Sequence, residues 1–453
     1  MPDPAPSLAA ILRVLADFGC TEAYFKILAA NDNAKNQPYM GQSYEVLHLL
    51  PHGELTTDGE GKRTRVKASL KLSWVSDELK AAPAPHAKLI LYPQYPEVRL
   101  SGFLLGCSTG PSRYMKARDQ SGYISVRRII VFGVNAATQN VFCYLAVEGT
   151  SAHRELESRL EEFDEIGVFR EITGLLPTIH RDTRSDLLNR LAEIARLEWI
   201  ISKRLDRRGN IISCLAPNCG GYTLEAELGI IPNGRSDPDY LGWEIKQHAV
   251  GTFANIGALL ARRGSAITLM TPEPTAGAYV ERGVECFVRT YGYADRTGRP
   301  DRINFGGKYV LGKPYHLNGV RLEMEGFDAS RNKFDPTGSI RLIRGDEQTV
   351  AAEWKFVDLL KHWMRKHAKA AYVPSLMRKD PALSYRYSRT IRLGEGTDFL
   401  KLLHAIQEGV VYYDPGIKLE NASSNPSIKR RSQFRILSGD IPRLYSRMEV
   451  VSA

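Results

Sequence analysis

Between Tyr24 and Val147 the chain alternates short apolar runs with turn-forming residues, as at Lys88–Tyr92, 98–105 and 129–134. Runs of that length bounded by turns predict strands, so residues 1–150 are expected to form an accessory, mainly β domain. Ahead of it, the apolar positions of 8–15 are interrupted by Arg13 and led by Asp3 without a basic segment. That pattern predicts an amphipathic helix and not a secretory signal, and cytoplasmic localisation is expected. Residues 151–166 are dense in Glu and Arg with apolar residues at helical spacing, which predicts an exposed connecting helix within a linker over 151–180. The second domain, 181–453, opens with Ser185 as a candidate cap and Leu188, Leu191, Ala195 and Trp199 on one helical face, with Gly209 beyond the end. Strands are expected at 267–270 and 285–288, and helices at 352–370 and 397–408. The expected class is therefore α/β (α+β), a mixed sheet flanked by helices preceded by a mainly β domain.

Composition narrows the functional classes. Hydrophobic residues make up 43% and charged residues 25% of the 453 positions, which excludes a disordered chain, and no apolar stretch spans a bilayer. Lys and Arg exceed Asp and Glu by 61 to 51, a surplus that favours a polyanionic partner such as nucleic acid. The six cysteines are scattered, and only Cys214 and Cys219 lie close together, without a second pair to complete a zinc site. Free thiols in a reducing compartment are expected.

The chemistry concentrates at Pro238-Asp239-Tyr-Leu-Gly-Trp-Glu244-Ile-Lys246. Alternate residues of a strand share a face, so Glu244 and Lys246 would project together while Trp243 and Ile245 face the other way. Asp239, supplied from the preceding turn, would complete a pair of carboxylates able to hold a hard divalent cation such as Mg²⁺. Lys246 could then orient or deprotonate an attacking water and steady negative charge. The same acid-to-lysine spacing occurs at Glu60 and Lys62, Glu78 and Lys80, and Glu353 and Lys355. Spacing alone therefore leaves an ordinary surface strand open.

Segment 429–447 holds six basic residues and one acidic, interleaved with Phe434 and Tyr445, which suggests DNA contact over a merely solvated tail. Arg430, Arg431 and Arg435, with Lys429 and Lys418, are the candidate DNA-binding residues. His248 could touch substrate or end its strand, the latter being favoured. His362 and His367, on a basic helix with Lys361, Arg365 and Lys366, are expected to be solvated or to face phosphate.

These residues resemble the PD-(D/E)xK nuclease pattern, and their surroundings are similar to the MvaI/BcnI restriction endonuclease family. The similarity extends through Gly-Gly-Tyr-Thr-Leu-Glu-Ala-Glu-Leu-Gly at 220–229, Asn-Phe-Gly-Gly at 304–307, Tyr-Tyr-Asp-Pro-Gly-Ile-Lys at 412–418 and Lys-Arg-Arg-Ser-Gln-Phe-Arg at 429–435. The resemblance implies a type II restriction endonuclease that uses Mg²⁺ to hydrolyse double-stranded DNA at a CCNGG-like site, leaving 5′-phosphate and 3′-hydroxyl ends. It further implies a monomer and a companion DNA methyltransferase as genetic partner. Glu225 matches an acidic residue that lies near the metal on a preceding helix in related folds. Alternatively, Thr223 caps a helix whose first turn carries Glu225 for the helix dipole. A MutH-like repair nicking endonuclease and a catalytically inactive DNA-binding regulator remain alternatives. The stretch Lys-Ile-Leu-Ala-Ala-Asn-Asp-Asn at 26–33, followed by Gly41 and Gln42, resembles part of the EcoRII effector domain, which implies a DNA-binding pseudobarrel over 20–150.

Overall fold

The computed structural model describes residues 5–29, 37–42, 46–59, 64–93, 95, 97–115, 126–177, 183–216, 218–231, 239–256, 264–345 and 349–453, with only the backbone of 361 and 364–366. Pro238 and positions 30–33 lie outside the described residues. The chain divides into two compact units, Met1–Arg181 and Asp182–Ala453.

In the first unit, a seven-stranded sheet runs in the order Glu165–Ile166, Phe169–Glu171, Glu22–Leu28, Arg128–Asn135, Asn140–Val147, Lys71–Val75, Ala81–Ala84. A second sheet of four strands comprises Leu55–Asp58, Arg65–Ser69, Lys88–Tyr92 and Glu97–Ser101. The helix Leu8–Asp17 is capped by Ser7, whose hydroxyl accepts from Ala10 N. Leu8, Ile11, Leu12 and Leu15 form its buried stripe and pack with Phe25, Val131, Ala152 and Leu156. Ala152 and Leu156 belong to the helix Ser151–Ser158. Residues 151–171, expected within a linker, thus contribute a core helix and two sheet strands to this unit. The run 98–105 stays extended only as far as Ser101. Lys26 is not a surface cation: it is 8% exposed, its ammonium lies 5.7 Å from the Tyr39 ring centroid, and burial lowers its pKa to about 8.

The second unit is a mixed α/β assembly of several small sheets in which strands predominate. Its largest sheet is organised around Lys369–Arg378. One part of that strand pairs antiparallel with Thr390–Glu395, another with Ser384–Tyr387, and Glu244–Ala249 joins it in parallel. Arg447–Ser452 closes the far side against Thr390–Glu395. Helices Thr183–Arg196 and Cys219–Glu227 bury Leu187, Leu191, Leu224 and Leu228 in one cluster with Trp243, Ile245, Ala371 and Val373. These apolar residues of the strands share one face, as period-two alternation requires.

Several expected elements are corrected. Residues 285–288 lie in the helix Gly283–Tyr291, because a short apolar run does not by itself distinguish strand from helix. The expected helix over 352–370 is shortened to Phe356–Lys366 between the strands Val350–Lys355 and Lys369–Arg378. Ser185 sits inside the helix Thr183–Arg196 and does not precede it. Cys214 and Cys219 form a disulfide, overturning the expectation of free thiols for this pair. The turn after Ile211–Ser213 brings their Cα atoms to 5.8 Å, within disulfide reach. Among the described residues, no helix is long and apolar enough to cross a membrane.

Candidate active site

The candidate centre is made by one tight turn feeding one strand. Tyr240 and Trp243 exchange both backbone hydrogen bonds, at 3.0 and 2.8 Å, and the two residues between them have positive φ, 51° at Leu241 and 82° at Gly242. This is type I′ turn geometry, natural for Gly242 and strained for Leu241. The turn folds Asp239 back onto the strand it precedes, where its Oδ2 accepts from Ile245 N at 3.1 Å. Glu244 and Lys246 then emerge together on the face opposite Trp243 and Ile245. Lys246 Nζ donates to Glu244 Oε1 in an ion pair, with Glu244 1% exposed and the lysine side chain 18% exposed.

The charges of this group are interdependent. Burial pulls the Lys246 ammonium toward neutrality, but Glu244 and, more weakly, Asp239 outweigh it and hold the pKa above the ordinary lysine value. Lys246 is therefore an ammonium in this arrangement, a donor and a fixed positive charge.

Among the described residues no group of three or more His, Cys, Asp or Glu side chains is placed to hold a metal ion. The donors at the turn are instead two carboxylates, Asp239 and Glu244. Two hard oxygen ligands fit a magnesium-sized cation that keeps several waters and meets a phosphate oxygen, and they fit neither a closed zinc site nor a soft-metal site.

Glu225 lies inside the helix Cys219–Glu227, where its charge acts on the Tyr387 hydroxyl. Thr223 does not cap this helix. It is fully buried within it, and its hydroxyl bonds both the N–H and the carbonyl of Lys203 at 3.1 Å.

His248, next to last in the strand Glu244–Ala249, continues the Glu244 and Lys246 face and is 3% exposed, too buried to meet substrate. Burial, with a smaller contribution from Arg392, lowers its pKa from 6.5 to about 3. The imidazole is neutral in the fold, whereas the unfolded chain protonates it below pH 6.5. Its stabilisation is thus complete above pH 6.5 and is lost as pH falls toward 3. At pH 5 the loss is about 2 kcal/mol. Urea unfolding of the protein and of His248→Leu at pH 7 and pH 5 checks this. The variant is expected to lose about 2 kcal/mol less on acidification, and equal losses would reject the assignment.

Of the two histidines expected to be solvated or to face phosphate, the structure buries one. His367 is fully buried and stacks on Trp363 at 4.1 Å, while His362 is exposed.

The basic segment divides into two classes. Lys418, on Gly416–Glu420, is in direct register with Lys429, on the edge strand Ser427–Lys429, and both are exposed. Like charges opposite each other across strands are unfavourable unless an anion sits between them. Arg430 and Arg431 follow, also exposed, with Arg430 near the Tyr279 hydroxyl and Arg431 lying against Gly416. Arg435 differs: its guanidinium binds Asp414 Oδ2 and the Ala266 carbonyl, each at 2.7 Å, and braces a three-stranded sheet. Its expected DNA contact is corrected to an internal one. Phe434 and Tyr445 are buried, so the aromatic residues of this segment are core residues and not a stacking surface for DNA.

Comparison with known proteins places these features in context. The model of the MvaI/BcnI restriction endonuclease family matches residues 188–445, more than half of the chain. A solved structure described as a restriction endonuclease MvaI–cognate DNA substrate complex is similar at 16% identity. It covers 59% of this chain and 98% of that chain with a TM-score of 0.45. Restriction endonuclease MvaI in the absence of DNA is similar at 14% identity, covering 60% and 98%, with a TM-score of 0.32. No curated protein matches the chain.

Proposed function

Since the chain belongs to the MvaI/BcnI restriction endonuclease family, we propose that it is a Mg²⁺-dependent type II enzyme that hydrolyses double-stranded DNA, with Asp239, Glu244 and Lys246 as its centre. The observation that carries this reading is the buried Glu244 and Lys246 pair, on one strand face, with Asp239 folded back onto the same strand. Asp239 and Glu244 would hold the cation, which when bound supplies a Lewis acid for the phosphate and lowers the pKa of water. Lys246, kept protonated by its carboxylate neighbours, donates a hydrogen bond to the attacking water or a phosphate oxygen and opposes charge growing on the phosphate. The hydrophobic packing of Trp243 and Ile245 fixes the strand, so these groups need little reorganisation. Glu225 is assigned a supporting role on the adjoining helix. The CCNGG-like target, action as a monomer and a companion methyltransferase belong to the same reading.

Lys418, Lys429, Arg430 and Arg431 are proposed to meet the DNA backbone. Alanine at Lys418 or Lys429 is expected to weaken binding to all sequences alike and reduce the slope of log affinity against log salt by about one. Folding stability should not fall, because either change relieves a like-charge pair. Anisotropy titrations over a salt series check both points, and an unchanged slope would remove the lysine from the interface.

The reading as a whole is tested by incubating the purified chain with unmodified plasmid, in Mg²⁺ and in chelator, and sequencing the ends. Discrete double-strand breaks at one short sequence, seen only with metal, are expected. Single-strand nicks that require a second protein would favour the repair enzyme, and intact plasmid would favour the inactive regulator.

A further inference from the structure

The face that bears Glu244 and Lys246 continues well past them. Tyr372, in direct register with Lys246, and Arg378 lie on one face of the strand Lys369–Arg378, because they are an even number of residues apart. At about 3.3 Å per residue, Arg378 stands about 20 Å along that face. There it is in register with Ser384, and Ser384 with Ile201 on the edge strand Ile200–Ile201. The Arg378 guanidinium lies 4.5 Å from the Trp199 ring centroid. Stacking of this kind orients the planar group and leaves its N–H edges for a ligand. Arg378 is exposed, and among the described residues no carboxylate or carbonyl takes those donors. Its neighbour Arg386 is paired instead with Glu198.

Beyond Ile201 the same edge runs into a hairpin, Lys203–Leu205 paired with Ile211–Ser213, that joins no other sheet among the described residues. Its base is tied down. Ser202 N donates to the Leu383 carbonyl at 2.8 Å, and Ser202 Oγ to the Cys214 carbonyl at 2.7 Å. The Cys214–Cys219 disulfide and the Thr223 hydroxyl bonded to Lys203 fasten the hairpin to the helix Cys219–Glu227. The tip is fixed as well: Asp206 Oδ1 accepts from the N–H groups of Arg208 and Asn210 at 2.8 and 2.9 Å, and Gly209 turns the chain with φ of 84°. Asp206 is the only acid of the hairpin, and these bonds occupy it. Arg204, Arg207 and Arg208 are exposed and have no ion-pair partner among the described residues. Residues 207–211 are all exposed, so packing does not account for a tip held this firmly.

We propose that Arg378, stacked on Trp199, and the hairpin residues Arg204, Arg207 and Arg208 form a second DNA contact, which grips the backbone of the duplex flanking the cleaved phosphate. The proposal rests on the reading of Glu244 and Lys246 as the nuclease centre. Fixed, unpaired guanidiniums match the regular phosphates of double-stranded DNA. At about 3.4 Å of duplex axis per base pair, a separation of about 20 Å places the contact about six base pairs from the cleaved bond. A short recognition sequence ends before that point, so this contact holds the duplex without reading it.

The test measures DNA affinity in chelator over a salt series, using the full chain and duplexes centred on the sequence that it cuts. The duplexes carry flanks of about 2 or about 12 base pairs, short of the contact or well past it. The variants are Arg378→Gln, the hairpin triple Arg204→Gln/Arg207→Gln/Arg208→Gln, and a control triple at exposed arginines elsewhere, Arg13→Gln/Arg154→Gln/Arg282→Gln, with thermal unfolding to identify any that fails to fold. On long flanks the slope of log affinity against log salt is expected to fall by about one in Arg378→Gln and by about two to three in the hairpin triple, each phosphate contact being worth about 0.9. The control triple should keep the full slope, short flanks should erase the differences, and single-turnover cleavage at saturating DNA should be unchanged. A full slope in both Arg378→Gln and the hairpin triple, or an equal loss in the control triple or on short flanks, would overturn this contact while cleavage by the unaltered chain leaves the centre standing. An unaltered chain that neither binds nor cuts DNA would instead overturn the nuclease reading, and this contact with it.

Discussion

Replacing Glu244 by Gln, or Asp239 by Asn, is expected to reduce Mg²⁺-supported cleavage by about 10³-fold or more while DNA binding in chelator largely survives. Each change removes one of only two carboxylates at the turn, and a metal contribution of several kcal/mol to the barrier converts to that factor. The substitutions differ in their side effects. Asp239 is tied to Ile245 N through one oxygen, a bond that the Asn carbonyl can retain, so the strand entry should persist. Glu244 is buried against Lys246, so Gln leaves an ammonium without its counter-charge, and some stability is lost with activity. The lysine side chain reaches solvent enough to soften this cost. Single-turnover cleavage of a cognate duplex, with thermal unfolding alongside, measures both effects. Near-normal turnover by either purified variant would show that the centre lies elsewhere.

The second large effect is on stability. Trp243→Ala is expected to destabilise the second unit by about 3–5 kcal/mol. The indole is 1% exposed and belongs to the cluster formed with Leu187, Leu191, Leu224 and Ile245. Its removal would leave a large cavity under the strand that carries Glu244 and Lys246. Trp243→Phe should be much milder, because the indole N–H has no hydrogen-bond partner among the described residues and its loss costs nothing. Urea unfolding monitored by far-ultraviolet circular dichroism reads the difference. A loss below about 1 kcal/mol in Trp243→Ala would contradict the assignment of this face to the core.

The alternation around 243–246 was readable because successive side chains of a strand point to opposite faces, so Trp243 and Ile245 on one face put Glu244 and Lys246 on the other. The same local logic failed at 429–447. There the density of arginine predicted a single DNA-facing segment, whereas Arg435 turns inward to Asp414 and Tyr445 crosses a trough made by Ala370 and Gly394. Those partners are distant in sequence, so no local pattern announces them. The opposition of Lys418 and Lys429 depends on hairpin register, which the sequence does not state. Thr223 illustrates a different ambiguity: its hydroxyl can cap a helix or bind a passing strand, and the packed Lys203–Leu205 strand takes it. The helix Gly283–Tyr291 was hidden because residues 285–288 are too few to show a helical period.

The central claim, that a metal-dependent nuclease centre is built on Lys246 and its two carboxylates, is tested most directly by comparing plasmid cleavage by the full chain and by Lys246→Ala in Mg²⁺. Cleavage by the unaltered protein that stops in chelator, and that falls by about 10²-fold or more in the variant while DNA binding persists, is the predicted result. Equal cleavage by the two proteins, or cleavage indifferent to the metal, would contradict it.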